Sequence, residues 1–109
     1  MKLVHEKGKG TIHVTFEGRV LSQHDLDRYK KFMRKYVSVT SAFVFDCREL
    51  LIPSKNITLS FYKFMREEMQ PYLSTDTTTY ILVKSFFVKN FLKLFFLFYK
   101  PKTRIVWKL

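Results

Sequence analysis

Ser41-Ala42-Phe43-Val44-Phe45-Asp46-Cys47 decides the fold of this chain. Ala42 to Phe45 is an unbroken apolar run, aromatic and β-branched, that stops at a carboxylate. A strand with one wet face alternates; this one does not. It therefore reads as a strand buried on both faces, at the centre of a sheet covered by helices. Asp46 then ends the strand at its carboxyl edge, where open α/β sheets hold their functional loops. The loop from Arg48 to Asn56 is the first place to look for a site.

Working outward, Leu3-Val4-His5 is a short strand, and Lys7-Gly8-Lys9-Gly10 is a turn with two glycines available for positive φ. Thr11 to Phe16 alternates, with Ile12, Val14 and Phe16 on one side, so it predicts a half-buried strand hairpinned to the first. Gly18 breaks it. Ser22 followed by Asp25 has capping-box spacing. Leu26, Tyr29, Phe32, Met33, Tyr36 and Val37 then recur at helical spacing opposite the charges, which predicts an amphipathic helix laid on the sheet. Beyond the loop, Asn56 is the expected cap of a second helix running from Ile57 to about Tyr72. Phe61, Phe64, Met65, Met69 and Tyr72 form its inner stripe, and Pro71 breaks its last turn. Tyr80-Ile81-Leu82-Val83 is a second interior strand. Phe86 to Lys100 is a third helix closed by Pro101. Arg104 to Leu109 alternates, with Ile105, Trp107 and Leu109 together, as a half-exposed edge strand. The order is β-β-α-β-α-β-α-β: one small α/β domain, with a mixed, mostly parallel sheet packed by three helices.

The 109 residues fit this single domain. One cysteine, Cys47, has no intramolecular partner, which fits a reducing compartment. Met1 to Lys7 holds no apolar core of signal-peptide length. The longest apolar run, Leu94 to Tyr99, is far short of the ~20 residues that span a bilayer. The expectation is a soluble, cytoplasmic chain. A net charge of +11 favours an acidic partner, whether nucleic acid, anionic lipid or acidic protein. The densest basic group, Arg28, Lys30, Lys31, Arg34 and Lys35, reads as the solvated face of the first helix.

Val14-Thr15-Phe16-Glu17-Gly18-Arg19-Val20, then a capped helix, then a buried strand ending in Asp46, resembles the opening of STAS domains, which share the SpoIIAA-like fold. Leu82-Val83-Lys84-Ser85-Phe86-Phe87-Val88, with Phe91-Leu92 and a last strand, resembles their final third. The likeness covers nearly the whole chain. In the antagonist branch of that family, the loop after the central strand carries Asp-Ser-Ser-Gly with a phosphorylated serine. Here Ser54-Lys55-Asn56-Ile57 stands at those positions, so the phospho-switch does not carry over. The resemblance implies a small non-enzymatic module that docks through this loop and the helix after it: Asp46, Arg48, Ser54, Lys55, Asn56 and Thr58.

No constellation of residues demands chemistry. Gly8, Gly10 and Gly18 form no phosphate-cradling motif. His5, His13 and His24 lack metal-ligand spacing, although His5 and His13 could face each other across the first hairpin. Cys47 has no predictable base, so it reads as a small apolar packing residue. Asp46 is expected to bond loop amides or to pair with Arg48 or Lys84. No cofactor is implied.

The third helix carries more apolar surface than one docking face needs. Phe87, Phe91, Leu94 and Phe98 lie on one side, Val88, Leu92, Phe95 and Tyr99 next to them, and Lys89, Lys93 and Lys100 opposite. The apolar arc covers roughly 180–200°, where a core stripe needs little over 100°. The excess can be covered by neighbouring helices, form a dimer or partner interface, or dip into an anionic membrane surface. Two functions follow: a regulatory module that docks on another protein or on itself, or a membrane-surface, lipid-binding protein that uses Phe87, Leu94 and Phe98. Nucleic acid ranks lower, because Arg104, Val106 and Lys108 on the last strand offer little aromatic stacking.

Overall fold

A hairpin begins the sheet. In the computed structural model, which describes residues 1–108, β1 (Lys2–Glu6) pairs antiparallel with β2 (Thr11–Thr15). The turn between them is a short 3-10 helix, Lys7–Lys9. Of its glycines only Gly10 has positive φ, at 58°. A Cβ there would lie 3.2 Å from Ser41 Oγ, so close approach adds to the conformational demand. Gly8 meets neither demand, against the expectation for it.

The chain then alternates through α1 (Gln23–Tyr36), β3 (Ala42–Asp46), α2 (Lys55–Phe64), β4 (Thr78–Leu82), α3 (Phe86–Tyr99) and β5 (Arg104–Lys108). The order read from the sequence is the order observed. The five strands lie side by side in chain order, β1-β2-β3-β4-β5, with β2 to β5 parallel. Leu109, expected in the last strand, lies outside the described residues.

This order corrects the central expectation. Every parallel crossover steps in the same direction, so right-handed connections put all three helices on one face. The register separates two sets of rows. Leu3, Val14, Phe45, Ile81 and Trp107 align across the sheet and pack into the core. Val4, His13, Val44, Tyr80 and Val106 align on the other face, and none of them belongs to the core. The strand Ala42–Asp46 is central in the sheet but covered on one face only. Its Phe43 is buried, whereas Val44 is half-buried. Side chains of the neighbouring strands shade Val44, with no second layer over it. The sheet also never reverses its winding, so no crevice of the doubly wound kind opens at the end of β3.

The core lies between the sheet and the helices. Leu26, Tyr29 and Met33 of α1 are fully buried with Ile12, Val14 and Ile81, each contributing ~1.5–3 kcal/mol. Tyr29 links the first two helices, with ring centroids 4.8 Å from Phe61 and 5.8 Å from Phe64. The outer side of α1 exposes Arg28, Lys31, Arg34 and Lys35.

The second helix differs from its expectation. Ser54, not Asn56, is its N-cap and accepts a hydrogen bond from the Ile57 amide. After Phe64 the backbone widens into a π turn, Met65–Met69, and tightens into a 3-10 turn, Gln70–Tyr72, around Pro71. The widened turn shifts the phase of the inner stripe: Leu73 is buried, and Tyr72, expected inside, is 59% exposed. The third helix ends at Lys100, which adopts the left-handed conformation at φ 53°.

Candidate functional site

The segment after β3 leaves the sheet at its carboxyl edge, beside the connection from β4 to α3; the Cys47 amide bonds the Leu82 carbonyl at 2.8 Å. Asp46 lies on the open sheet face. It accepts two bonds from the Arg48 guanidinium, at 2.9 and 2.8 Å, and one from the Arg48 amide at 3.2 Å. The guanidinium holds the Asp46 carboxyl below the usual carboxylate range. Asp46 is thus paired as the sequence suggested, with Arg48 and not Lys84. Ser54 spends its hydroxyl on the α2 cap, and Lys55 and Asn56 are exposed in the first turn.

The rest of this segment turns inward. Cys47 and Leu50 are buried, and together with Pro53 and Thr58 they line an apolar cavity of about 120 Å³. Burial and the Asp46 carboxylate push the Cys47 thiol up to about 12. At neutral pH it holds its proton, the opposite of an activated nucleophile.

The aromatic helix opens outward. Ser85 caps α3 by accepting from the Val88 amide at 3.4 Å. Val88 and Tyr99 face the core, and Phe91, Leu92, Phe95 and Phe96 are half-buried around them. The opposite side is nearly all hydrocarbon: Phe86 is 77% exposed, Phe87 73%, Leu94 55%, Leu97 68% and Phe98 65%. Asn90 and Lys93 are the polar residues on that side. Neighbouring helices do not cover this surface, so the first of the three outcomes open to the sequence does not occur within the chain. The lysines do not stand opposite the apolar arc. Lys93 borders it, and Lys89 folds back over the Trp107 ring, 5.6 Å from its centroid. Beside Lys93 runs a shallow groove between α3 and β5, lined by Leu94, Leu97, Ile105 and Trp107.

Phe87, Leu94 and Phe98 therefore belong together on one face, and Asp46, Arg48, Lys55 and Asn56 lie at the carboxyl edge from which α3 starts. Phe86 and Leu97 were missed. Their helical positions beside Phe87 and Leu94 carry the signal, but an apolar arc wider than one docking face does not say which part of it faces out. His5 and His13 do not face each other. Val4 pairs with His13 and Ile12 with His5, so the two imidazoles point to opposite faces. His5 stacks on Tyr36 at 4.3 Å, and His13 bonds Glu6. Among the described residues no cluster of three or more His, Cys, Asp or Glu could hold a metal ion. No helix among them is long and apolar enough to cross a membrane.

No protein-family model matches the chain, and no curated protein matches its sequence.

Proposed function

We propose that this chain is a non-enzymatic docking module of the STAS-like kind that its sequence resembles, and that it docks through the outer face of α3 onto an anionic membrane surface. The observation that carries this reading is the exposed row Phe86, Phe87, Leu94, Leu97 and Phe98, since monomeric soluble proteins rarely leave a large contiguous apolar patch open. Charge chooses the occupant. No Asp or Glu follows Asp76, whereas Lys84, Lys89, Lys93, Lys100, Lys102, Arg104 and Lys108 do. A two-fold dimer through this face would meet its own surface and set lysine against lysine. An anionic bilayer offers hydrocarbon beneath a negative layer, which suits both parts of the face. Trp107, in the adjoining groove, is the residue type that settles at headgroup level. In this reading the loop after β3 serves regulation, because Leu51, Lys55 and Asn56 stay exposed at the end of the sheet where α3 begins.

Cosedimentation with phosphatidylserine-containing vesicles tests the proposal. The chain is expected to sediment with them at low salt and to release as salt rises. The double variant Leu94→Asp, Phe98→Asp is expected to bind more than about tenfold more weakly. Its melting temperature should stay within about 2 °C of the parent, since both side chains are exposed. Two results overturn the reading: no vesicle binding at low salt, or a lipid-free dimer in light scattering that the same substitutions dissociate.

A further inference from the structure

Beneath α3, on the side away from solvent, lies the cavity of about 120 Å³. Its floor is the covered face of β3, β4 and β5, including Phe45, Ile81 and Ile105, and Leu92 and Phe95 of α3 are among the side chains above it. Four of the hydroxyls at its wall are engaged elsewhere. Thr79 and Thr103 share a hydrogen bond of 2.8 Å, the Tyr29 hydroxyl donates to Met65 Sδ at 3.1 Å, and Tyr99 donates to Gln70 Oε1 at 3.4 Å. None of these hydroxyls is aimed, unpartnered, into the space. A buried water needs two or more such partners, and only the Thr58 hydroxyl and the weakly bonding Cys47 thiol remain, so the site favours an apolar occupant over water. Dry walls lack dispersion contacts on one side, and an apolar guest restores them without stripping any polar group.

We propose that this cavity is a binding site for an uncharged hydrocarbon group of about benzene size, either a single ring or the terminal carbons of an aliphatic chain. The size follows from the general behaviour of dry apolar cavities near 150 Å³, which take up benzene. The uncharged character follows from the wall, which offers no partner for a carboxylate or ammonium. The site is separate from the outer face of α3, because the same helix turns Leu92 and Phe95 toward the cavity and Leu94 and Phe98 toward solvent.

The test is thermal unfolding of the full chain with benzene, with octanoate as a second probe that carries a charged head on an aliphatic chain. Benzene at ten times its dissociation constant is expected to raise the melting temperature saturably, by about 5 °C. A rise with octanoate as well assigns the site to chain ends whose head stays outside, whereas a rise with benzene alone assigns it to free small rings. Cys47→Leu, which fills the space from β3, is expected to abolish the benzene shift. Leu92→Phe, filling from α3, gives the same readout if Cys47→Leu does not fold. The double variant Leu94→Asp, Phe98→Asp should keep the full benzene shift, so failure of the membrane reading leaves this one standing. No saturable shift with either probe, or an undiminished shift in the filled variants, overturns the proposal.

Discussion

Helices α1 and α3 invite direct comparison. Each has 14 residues, each starts from a serine cap, and both lie on the same face of the sheet. Their inner sides obey the same rule and bury apolar residues. Their outer sides are opposites: α1 presents Arg28, Lys31, Arg34 and Lys35, and α3 presents Phe86, Leu94, Leu97 and Phe98. The sheet asks nothing of an outer side, so packing within the chain cannot account for the difference. Arg34 pairs with Glu68 of the π turn through two bonds, at 3.0 and 2.8 Å, which ties the outer side of α1 to its own domain. The outer side of α3 has no such tie among the described residues. One outer side is tied into the fold, and the other is left open by it.

The starts of the two helices sharpen the contrast, and the largest expected effect lies there. Asp25 in the first turn of α1 is 2% exposed. It accepts two bonds of 2.7 Å from Arg19 and one of 2.8 Å from the Ser22 amide. Removing Arg19 takes away the bidentate counter-charge of that buried carboxylate and leaves it only the Met1 ammonium, 4.0 Å away. Breaking a fully buried pair costs ~3–5 kcal/mol. Arg19 is itself half exposed, so Arg19→Ala is expected to cost less than that, read as a fall of roughly 5 °C or more in melting temperature. No change would mean that α1 does not depend on this ion pair.

Acid should act on the same pair. Arg19 and Ser22 stabilise the Asp25 anion and hold its carboxyl well below the usual range. The stability this contributes is complete above the unfolded value of ~3.9 and is lost as pH falls toward the lower folded value. The parent should therefore lose more melting temperature between pH 4 and pH 2 than Asp25→Asn does. The carboxylates Glu17, Asp46 and Glu68, held down by the N-terminal ammonium, Arg48 and Arg34, are common to both proteins and largely cancel. Equal losses would break the assignment.

The smallest effect separates the caps. Ser22 sits in a reciprocal capping box with Asp25, whereas Ser85 accepts one long bond. Ser22→Ala is expected to cost ~1–2 kcal/mol and Ser85→Ala ~0.5 kcal/mol, measured by denaturant unfolding. Equal costs would show that the box adds nothing to the simple cap.

What could be read from the sequence was local. The Ser22–Asp25 spacing, the alternation of Ile12, Val14 and Phe16, and the phase of Leu26, Tyr29 and Met33 each fix a conformation within a few residues. The one-sidedness of the sheet is not local. Val44 between Phe43 and Phe45 reads as buried on both faces, yet His13 and Tyr80 beside it on the open face are enough to half-cover it. Ser54 and Asn56 are both good caps, and residue type alone does not choose between them. Of the candidate site, the excess of apolar surface on α3 was legible. Its direction was not, because an apolar arc wider than one docking face is divided into inside and outside only when the helix meets β4 and β5.

Lys100 closes α3 with a left-handed backbone that glycine adopts without penalty and lysine enters at ~1–2 kcal/mol. Its carbonyl is held by the Gln70 side-chain amide at 2.9 Å, so the bend is fixed from outside as well as from within. A relaxed main chain and a cation at the end of the hydrocarbon face are alternatives at this position, and the chain has the cation. If the outer face of α3 meets a membrane as proposed above, folding and attachment pull against each other at that one residue.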